Sequence, residues 1–126
     1  MSTRLYSRDH QWVLREGKRI RVGISYFAQQ ELGEISYFEP PPIGKVISAG
    51  EAVCSIDSLK SSSEIYSPAG GTVVEVNNIL RHEEQCAIIN EDPLGKGWLF
   101  VLELETIEEL DGLLSLAEYQ RFIKDG

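Results

Sequence analysis

The sequence is poor in the side chains that most often carry out catalysis or bind metal ions. Its 126 residues include only two histidines, His10 and His82, and two cysteines, Cys54 and Cys86. These residues are far apart along the chain and show none of the spacings typical of a zinc site or a redox pair. Two such thiols are expected to stay free in a reducing compartment. No glycine-rich loop has the lysine spacing of a phosphate-binding loop. We therefore predict a protein that is not an enzyme and binds no metal.

Long apolar runs and basic clusters are absent too. No apolar run reaches the roughly 18 residues that a membrane-spanning helix requires, and the N terminus does not read as a secretory signal. With 12 Lys and Arg against 20 Asp and Glu, the net charge is -8. No basic stripe is present to neutralise a nucleic-acid backbone. The composition predicts one cytoplasmic domain, residues 1–126, that binds neither nucleic acid nor membrane.

Alternation of apolar and polar residues predicts β-strands along most of the chain, up to about Leu104. Residues 19–24 alternate cleanly, and residues 34–38 form a second predicted strand that the prolines after it would end. Between them, Ser25 predicts the N-cap of a short helix over 26–32, and Gly33 its end. The last predicted strand, 98–104, would turn four large side chains to the core: Trp98, Phe100, Leu102 and Leu104.

Two capping boxes near the C terminus predict two helices. Thr106 and Glu109 form the first box, which would open a helix to about Leu114. Ser115 and Glu118 form the second box, which would open the last helix. The last helix would carry an apolar face of four residues: Leu116, Tyr119, Phe122 and Ile123.

One lysine has an unusual position in the predicted sheet. The stretch SIDSLKSSSEIYSP, residues 55–68, sets Lys60 at the tip of a predicted hairpin. Two similar Pro-x-Gly turns, at Pro42 and Pro68, flank this hairpin. The tip lacks the Asn-Gly or Asp-Gly pair typical of tight hairpins. Small hydroxyl residues leave the amine accessible, and an exposed Leu59 beside it suits recognition by another protein. We therefore predict a lysine that another enzyme acylates. With an eight-carbon acyl chain, the arm would measure about 14 Å.

This stretch and several others, in the same order, resemble the glycine cleavage system H proteins, a lipoyl-carrier family. The resemblance covers nearly the whole chain. It implies a mainly β fold, a flattened barrel-sandwich hybrid of the biotinyl/lipoyl type, with a short helix in the N-terminal half and two C-terminal helices. The matching segments are residues 6–13 (YSRDHQWV), 22–24 (VGI), 28–29 (AQ), 32–35 (LGEI), 49–51 (AGE), 57–68 with Gly71, 74–77 (VEVN), 89–93 (INEDP), 97–98 (GW), and Leu113, Leu114 and Tyr119.

The resemblance implies that the protein is the lipoyl-carrying shuttle of the glycine cleavage system. Lipoic acid would be attached covalently to Lys60 by a lipoate ligase or a lipoyl or octanoyl transferase. That enzyme would recognise the tip residues Asp57, Ser58, Leu59 and Ser61. The arm would carry an aminomethyl group from the pyridoxal-phosphate enzyme glycine decarboxylase to a tetrahydrofolate-dependent aminomethyltransferase, and dihydrolipoyl dehydrogenase would reoxidise it. The carrier would be a monomer without catalytic residues, in the cytoplasm, or in the mitochondrial matrix for a mature eukaryotic form.

The resemblance also implies a cleft that shelters the carried group, with His10, Gln11 and Glu64 in its wall. By its sequence context alone, His10 could equally be a structural hydrogen-bonding residue. The family usually has glutamate at position 11, and the neutral amide of Gln11 would hold a cationic amine less well. Glu64 and Asp57 also depart from the usual Asp and Glu at their positions. The change at position 11 leaves a second function open: an H-like lipoyl donor or scaffold in lipoate transfer to 2-oxoacid dehydrogenases. A binding module without modification is a further alternative.

Overall fold

Two antiparallel β-sheets build the fold in the computed structural model, which describes residues 4–125. Residues 1–3 and 126 of the predicted domain lie outside the described residues. Three α-helices and three 3-10 helices connect and flank the sheets. The strands are β1 (Leu5–Tyr6), β2 (Gln11–Glu16), β3 (Arg19–Ile24), β4 (Ile35–Glu39), β5 (Val46–Ile47), β6 (Ala52–Ser58), β7 (Ser62–Tyr66), β8 (Gly71–Val76) and β9 (Phe100–Leu104), and the α-helices are α1 (Tyr26–Leu32), α2 (Ile88–Glu91) and α3 (Leu116–Asp125).

The strand order separates the hairpin that carries Lys60 from the larger sheet. Six strands form one sheet in the order β1-β2-β3-β9-β8-β5, and the other sheet has the order β4-β6-β7. The inner faces of the two sheets share one apolar core, to which β3, β4, β6, β8 and β9 all contribute. The predicted mainly β, barrel-sandwich architecture is therefore confirmed.

The core follows the alternation that the sequence predicts. In β3, Ile20, Val22 and Ile24 are at most 1% exposed. In β9, Val101 departs from the alternation, because it is only 6% exposed between the buried Phe100 and Leu102. The prediction for Trp98 is wrong in part, because β9 begins only at Phe100 and Trp98 is half-buried in a separate, smaller cluster. There the Arg21 guanidinium lies 4.8 Å from the centre of its ring.

Helix α1 has the predicted ends. The Ser25 hydroxyl accepts a hydrogen bond from the Ala28 N–H at 3.1 Å, which satisfies one of the free donors of the first turn. Gly33 follows the last helical residue with a φ of 79°, a conformation that residues with a Cβ rarely adopt. Its N–H donates to the Gln29 carbonyl at 3.0 Å. These two local signals place α1 between β3 and β4.

The second C-terminal capping box forms, and the first does not. The Ser115 N–H donates to Glu118 Oε1 at 2.8 Å, and the Glu118 N–H donates to Ser115 Oγ at 3.2 Å. Hydrogen bonds from the backbone N–H and the hydroxyl of Ser115 lower the pKa of the Glu118 carboxyl. The prediction of a helix from Thr106 to about Leu114 is wrong: only a short 3-10 helix forms, Ile107–Leu110, and the Thr106 side chain makes no capping bond.

The cause is a contact with a distant turn. Glu109, the acidic partner in the first box, instead accepts a hydrogen bond from the Gly70 N–H at 3.0 Å. Further along, Leu114 pairs with Tyr6 as an isolated bridge, so the chain is extended there.

In α3, Tyr119 stacks on Tyr6 with ring centres 4.7 Å apart. Leu116 departs from the predicted apolar face, since it is 49% exposed.

Within residues 4–125, no helix has both the length and the apolar character needed to cross a membrane.

The two capping boxes predict different responses to alanine. Ser115→Ala should lower the free energy of unfolding by about 1 kcal/mol, because it removes the hydroxyl that accepts an N–H at the start of α3. Thr106→Ala is the matched control and should change it by less than about 0.5 kcal/mol, since this exposed side chain caps nothing. Urea denaturation of both variants measures the difference. Equal losses would contradict a working cap at Ser115 alone.

Candidate functional site

Lys60 lies at the tip of the β6–β7 hairpin, where a serine hydroxyl shapes the turn. The last paired residues of the two strands are Asp57 and Ser62. The Ser58 Oγ accepts hydrogen bonds from the N–H groups of Lys60 and Ser61, at 3.2 and 3.1 Å. The Ser58 N–H also donates to the Ser61 carbonyl at 2.8 Å. The Ser58 side chain thus fixes the turn by hydrogen bonds, and no residue from 58 to 61 has the positive φ that an Asn-Gly pair supplies in other hairpins.

The predicted recognition residues surround the lysine. Leu59 is 72% exposed, Lys60 and Ser61 are exposed, and Asp57 and Ser58 are half-buried. The Leu59 N–H donates to the carbonyl of Glu34, just after α1, at 3.0 Å. This bond ties the tip to the body of the protein while the side chains face outward. Whether a ligase reads them stays a prediction.

The lysine stem lies across a glycine that the sequence did not single out as part of the site. A Cβ built on Gly33 would lie only 2.9 Å from the Cε of Lys60 and 3.6 Å from its Nζ. Gly33 thus serves twice: its positive φ ends α1, and its missing side chain leaves room for the lysine.

Asn90 holds the backbone beneath the lysine. Its Nδ2 donates to the Gly33 carbonyl at 2.8 Å and to Gln29 Oε1 at 3.0 Å, and its Oδ1 accepts from the Ile35 N–H at 2.9 Å. Every hydrogen-bonding atom of this amide thus has a partner. The sequence resemblance includes Asn90 but gives it no role. Its partners are 55 or more residues away along the chain, so no local pattern could have revealed them.

The three predicted cleft residues line one cavity. His10, Gln11 and Glu64 border a cleft of about 200 Å³ between α1, the start of β2 and the Lys60 hairpin. We call this cavity the hairpin cleft. Its full lining is Asp9, His10, Gln11, Ile24, Phe27, Ala28, Glu31, Leu32, Ser63, Glu64 and Ile65. Asp9 and Glu31 were not predicted, because their place in the wall depends on how α1 packs beside β2.

The amide of Gln11 is occupied inside the protein. The side chain is only 2% exposed. Its Oε1 accepts a hydrogen bond from the Ser7 hydroxyl at 2.5 Å, and its Nε2 donates to the Asp9 carbonyl at 3.0 Å. Gln11 therefore fixes the loop before β2 and brings no charge to the cleft. The charged groups of the cleft wall are the exposed carboxylates of Asp9, Glu31 and Glu64.

His10 belongs to a hydrogen-bonded group between β2, α1 and α3. Its Nδ1 lies 2.8 Å from the Tyr119 hydroxyl, which lies 2.7 Å from the Ser25 hydroxyl. Burial lowers the pKa of His10, although the nearby acids Asp9 and Glu31 act in the opposite direction. The lowered pKa favours the neutral imidazole, which brings no positive charge to the cleft carboxylates. These contacts favour the structural interpretation of this histidine.

The remaining residues with possible chemistry do not form a site. Both cysteines are free, and burial raises the pKa of each thiol. His82 is exposed in the loop before α2. Among the residues that the structure describes, no three His, Cys, Asp or Glu side chains lie close enough together to hold a metal ion.

Comparisons with known proteins find relatives over almost the whole chain. The family model described as glycine cleavage H-protein matches residues 4–126. The glycine cleavage system H protein of Coprothermobacter proteolyticus is 46% identical over 119 residues, which cover 94% of this chain and 92% of that protein. The glycine cleavage system H protein of Thermus thermophilus is 41% identical over 121 residues, with 96% and 93% covered.

A solved structure shows the same architecture. The crystal structure of a glycine cleavage system H protein from Mycobacterium marinum superposes with a TM-score of 0.84 at 33% identity, and the match covers 97% of each chain. Sequence and fold thus agree over almost the full length. The chain belongs to the glycine cleavage H-protein family, the lipoyl-carrying shuttle proteins of the glycine cleavage system.

Proposed function

We propose that this protein carries an aminomethyl group on a lipoyl arm attached covalently to Lys60, and that residues 1–126 act as one carrier domain. The observation that supports this most directly is the presentation of Lys60. Its amine stands at an exposed hairpin tip, on a turn shaped by Ser58, and its stem rests on the bare backbone of Gly33. These features suit a lysine that must enter the active site of a modifying enzyme and later carry a long chain.

The residues of this chain position the lipoyl arm and protect its cargo, and we assign none of them a catalytic role. When bound, the lipoyl group supplies the disulfide chemistry that takes up the aminomethyl cargo. Ser58 and the bond from the Leu59 N–H to the Glu34 carbonyl fix where the arm begins. Asp57, Ser58, Leu59 and Ser61 form the surface that the modifying enzyme would recognise.

The hairpin cleft is suited to holding a small cation. Phe27, Ala28 and Ile65 supply apolar surface that excludes water, and exclusion of water slows hydrolysis of a labile group. Glu31 and Glu64 line the cleft from two different elements, α1 and β7, and attract the amine of the cargo. The neutral Gln11 therefore does not leave the cleft without charge, because Glu31 and Asp9 add carboxylates that the sequence did not reveal.

Membership of the family supports an inference about the partner enzymes. We infer glycine decarboxylase, the aminomethyltransferase and dihydrolipoyl dehydrogenase as the enzymes served, and a lipoate ligase or lipoyl or octanoyl transferase as the modifying enzyme. We further propose that the carrier acts as a monomer in the cytoplasm. None of these assignments requires a catalytic side chain on the carrier.

A second function rests on one observation, the internal hydrogen bonding of Gln11. A lipoyl donor to 2-oxoacid dehydrogenases would need Lys60 and the exposed tip, but no charged cleft. The two functions separate in a reconstituted assay. The lipoylated protein is supplied either with the glycine cleavage enzymes or with a transferase and an unmodified dehydrogenase lipoyl domain. Glycine-dependent ammonia release supports the shuttle, and movement of the lipoyl group to the dehydrogenase domain supports the donor.

Lys60→Arg should fold normally and accept no lipoyl group, because a guanidinium keeps the charge but does not form the amide. Incubation with a lipoate ligase followed by intact-mass measurement and peptide mapping tests this. Lys45→Arg is the matched control: that lysine is also exposed, in a salt bridge of 3.7 Å with Glu51, and should leave the lipoyl mass increment unchanged. A lipoyl increment on the Lys60→Arg protein would refute the assignment.

Glu31→Gln and Glu64→Gln should each shorten the lifetime of the aminomethyl cargo on the isolated carrier. Each removes one exposed carboxylate worth ~0.2–1 kcal/mol to a bound cation, so release should accelerate roughly 1.5- to 5-fold. Release of ammonia and formaldehyde from the loaded protein measures the rate. Glu75→Gln, an exposed acid on β8 outside the cleft, is the control and should have no effect. Equal effects in all three variants would point to net charge instead of the cleft.

A further inference from the structure

Another cavity, of about 360 Å³, lies on the outer face of the larger sheet. In β2, Val13 turns into the core that the two sheets share. Trp12 and Leu14 alternate with it and therefore point to the opposite side, where Arg21 of β3 is paired with Leu14. Residues 92–98, between α2 and β9, supply the rest of the lining. We call this cavity the outer pocket. It shares no lining residue with the hairpin cleft.

The loop of residues 92–98 is fixed to the sheet by hydrogen bonds from two buried side chains. Trp12 Nε1 donates to the Pro93 carbonyl at 2.8 Å. Asn77 Nδ2 donates to the carbonyls of Lys96 and Trp98, both at 2.8 Å. The wall of the pocket is thus held in place before any ligand arrives, which lowers the entropy cost of binding.

Three of the chain's 12 basic side chains line this pocket: Arg4, Arg21 and Lys96. The guanidinium of Arg4 lies 4.9 Å from the centre of the Trp12 ring, and that of Arg21 lies 4.8 Å from the centre of the Trp98 ring. Arg4 also donates to the Leu94 carbonyl. The Nε of each arginine is buried and has no hydrogen-bond partner among residues 4–125. Both cations are therefore held mainly by aromatic rings, which do not neutralise their charge as a carboxylate would.

The acids near the pocket compensate little of this charge. Asp92 is the only acid that the structure describes in the lining, and its Oδ2 accepts the Lys96 N–H at 2.9 Å, which closes a turn of the loop. Glu16 Oε1 lies 4.0 Å from Arg21 Nη2, and both side chains are partly exposed, so this pair is weak. Within residues 4–125, Arg4 and Lys96 take part in no salt bridge. Three cations against one carboxylate make the outer pocket cationic on a protein whose net charge is -8.

We propose that the outer pocket binds a small molecule with two or more oxyanion groups, carboxylates or phosphates, on a short apolar body. The planar N–H donors of arginine match both kinds of group. The three cations come from three separate segments of the chain, which suits a ligand with more than one charge. Leu14 and Leu94 add apolar lining for its body, and the volume lies within the usual range for small-molecule sites. Such a ligand would leave Lys60 and the hairpin cleft free, so the inference does not depend on the proposed function.

Titration of the full chain, without a lipoyl group and with ¹⁵N-labelled arginine, tests the proposal by nuclear magnetic resonance. The probes are citrate for carboxylates and pyrophosphate for phosphates, at constant ionic strength. We expect saturable shifts of the Nε–H signals of Arg4 and Arg21, with a dissociation constant of about 1 mM or lower for at least one probe. Saturation by citrate alone assigns carboxylates, by pyrophosphate alone phosphates, and by both the chemistry that they share. Failure of both probes to saturate, or equal shifts at Arg19 outside the pocket, would overturn the inference.

Three charge-removing variants provide a second test. Arg21→Gln should weaken binding about 10-fold, because it removes charged hydrogen bonds to the ligand. Lys96→Gln, at an exposed side chain whose loss does not disturb folding, should weaken it roughly 1.5- to 5-fold. Arg19→Gln is the matched control: this exposed residue lies on the same strand, in a salt bridge of 3.6 Å with Glu103, and should leave the affinity unchanged.

Circular dichroism checks that the three variants are folded. Equal losses in all three would show a response to net charge alone and would overturn the assignment of the pocket. Unchanged affinity in both Arg21→Gln and Lys96→Gln would overturn it as well.

Discussion

The hydrogen bonds of the Asn90 side chain are the interaction on which the functional region depends. One amide joins the last turn of α1, the glycine that ends it and the first residue of β4. The hairpin tip is then attached to this unit through the Leu59 N–H and the Glu34 carbonyl. Loss of the amide would remove the partner of the Ile35 N–H, of Gln29 Oε1 and of the Gly33 carbonyl at once. The bonds of such a network depend on one another, so their loss costs more than the sum of single bonds. The position of Lys60 is thus set from α2, outside the hairpin that carries it.

The hairpin itself resolves two opposing requirements. A tip that must enter the active site of another enzyme needs small, exposed residues, and a tip that must aim one side chain needs a defined backbone. Ser58 meets both, because its hydroxyl accepts two backbone N–H groups and adds almost no bulk. The exposure of Leu59 is unfavourable for an isolated protein but leaves an apolar contact for a partner. Gly33 completes the arrangement by leaving space below the stem.

The residue patterns predicted features that depend on neighbours along the chain and missed contacts that form only on folding, whereas the family resemblance placed His10, Gln11 and Glu64 in one cleft. The Ser25 cap, the Gly33 stop and the Ser115 box each join residues three or four positions apart, so their patterns are visible in the sequence. The Thr106 box had the same pattern and failed because Gly70 binds its glutamate in the folded state. Glu31 and Asn90 were missed for a related reason: each meets its site only after α1, β2 and α2 pack. The lysine tip could be recognised because its whole surface comes from one continuous stretch.

A shuttle protein must hold its cargo without trapping it. The cleft carboxylates are exposed, and exposed charge pairs contribute ~1 kcal/mol or less. The carboxylates can favour the cleft-bound arm over the free arm only by the difference in their interaction with the two states. A difference of ~1 kcal/mol shifts such an equilibrium about fivefold, which favours the cleft and still permits frequent release. A buried, fully paired carboxylate would bind the amine more tightly but would also compete with the enclosed active site that has to receive it. The exposed Glu31 and Glu64, with the neutral Gln11 beside them, are therefore consistent with a carrier whose loaded arm must be released to a partner enzyme.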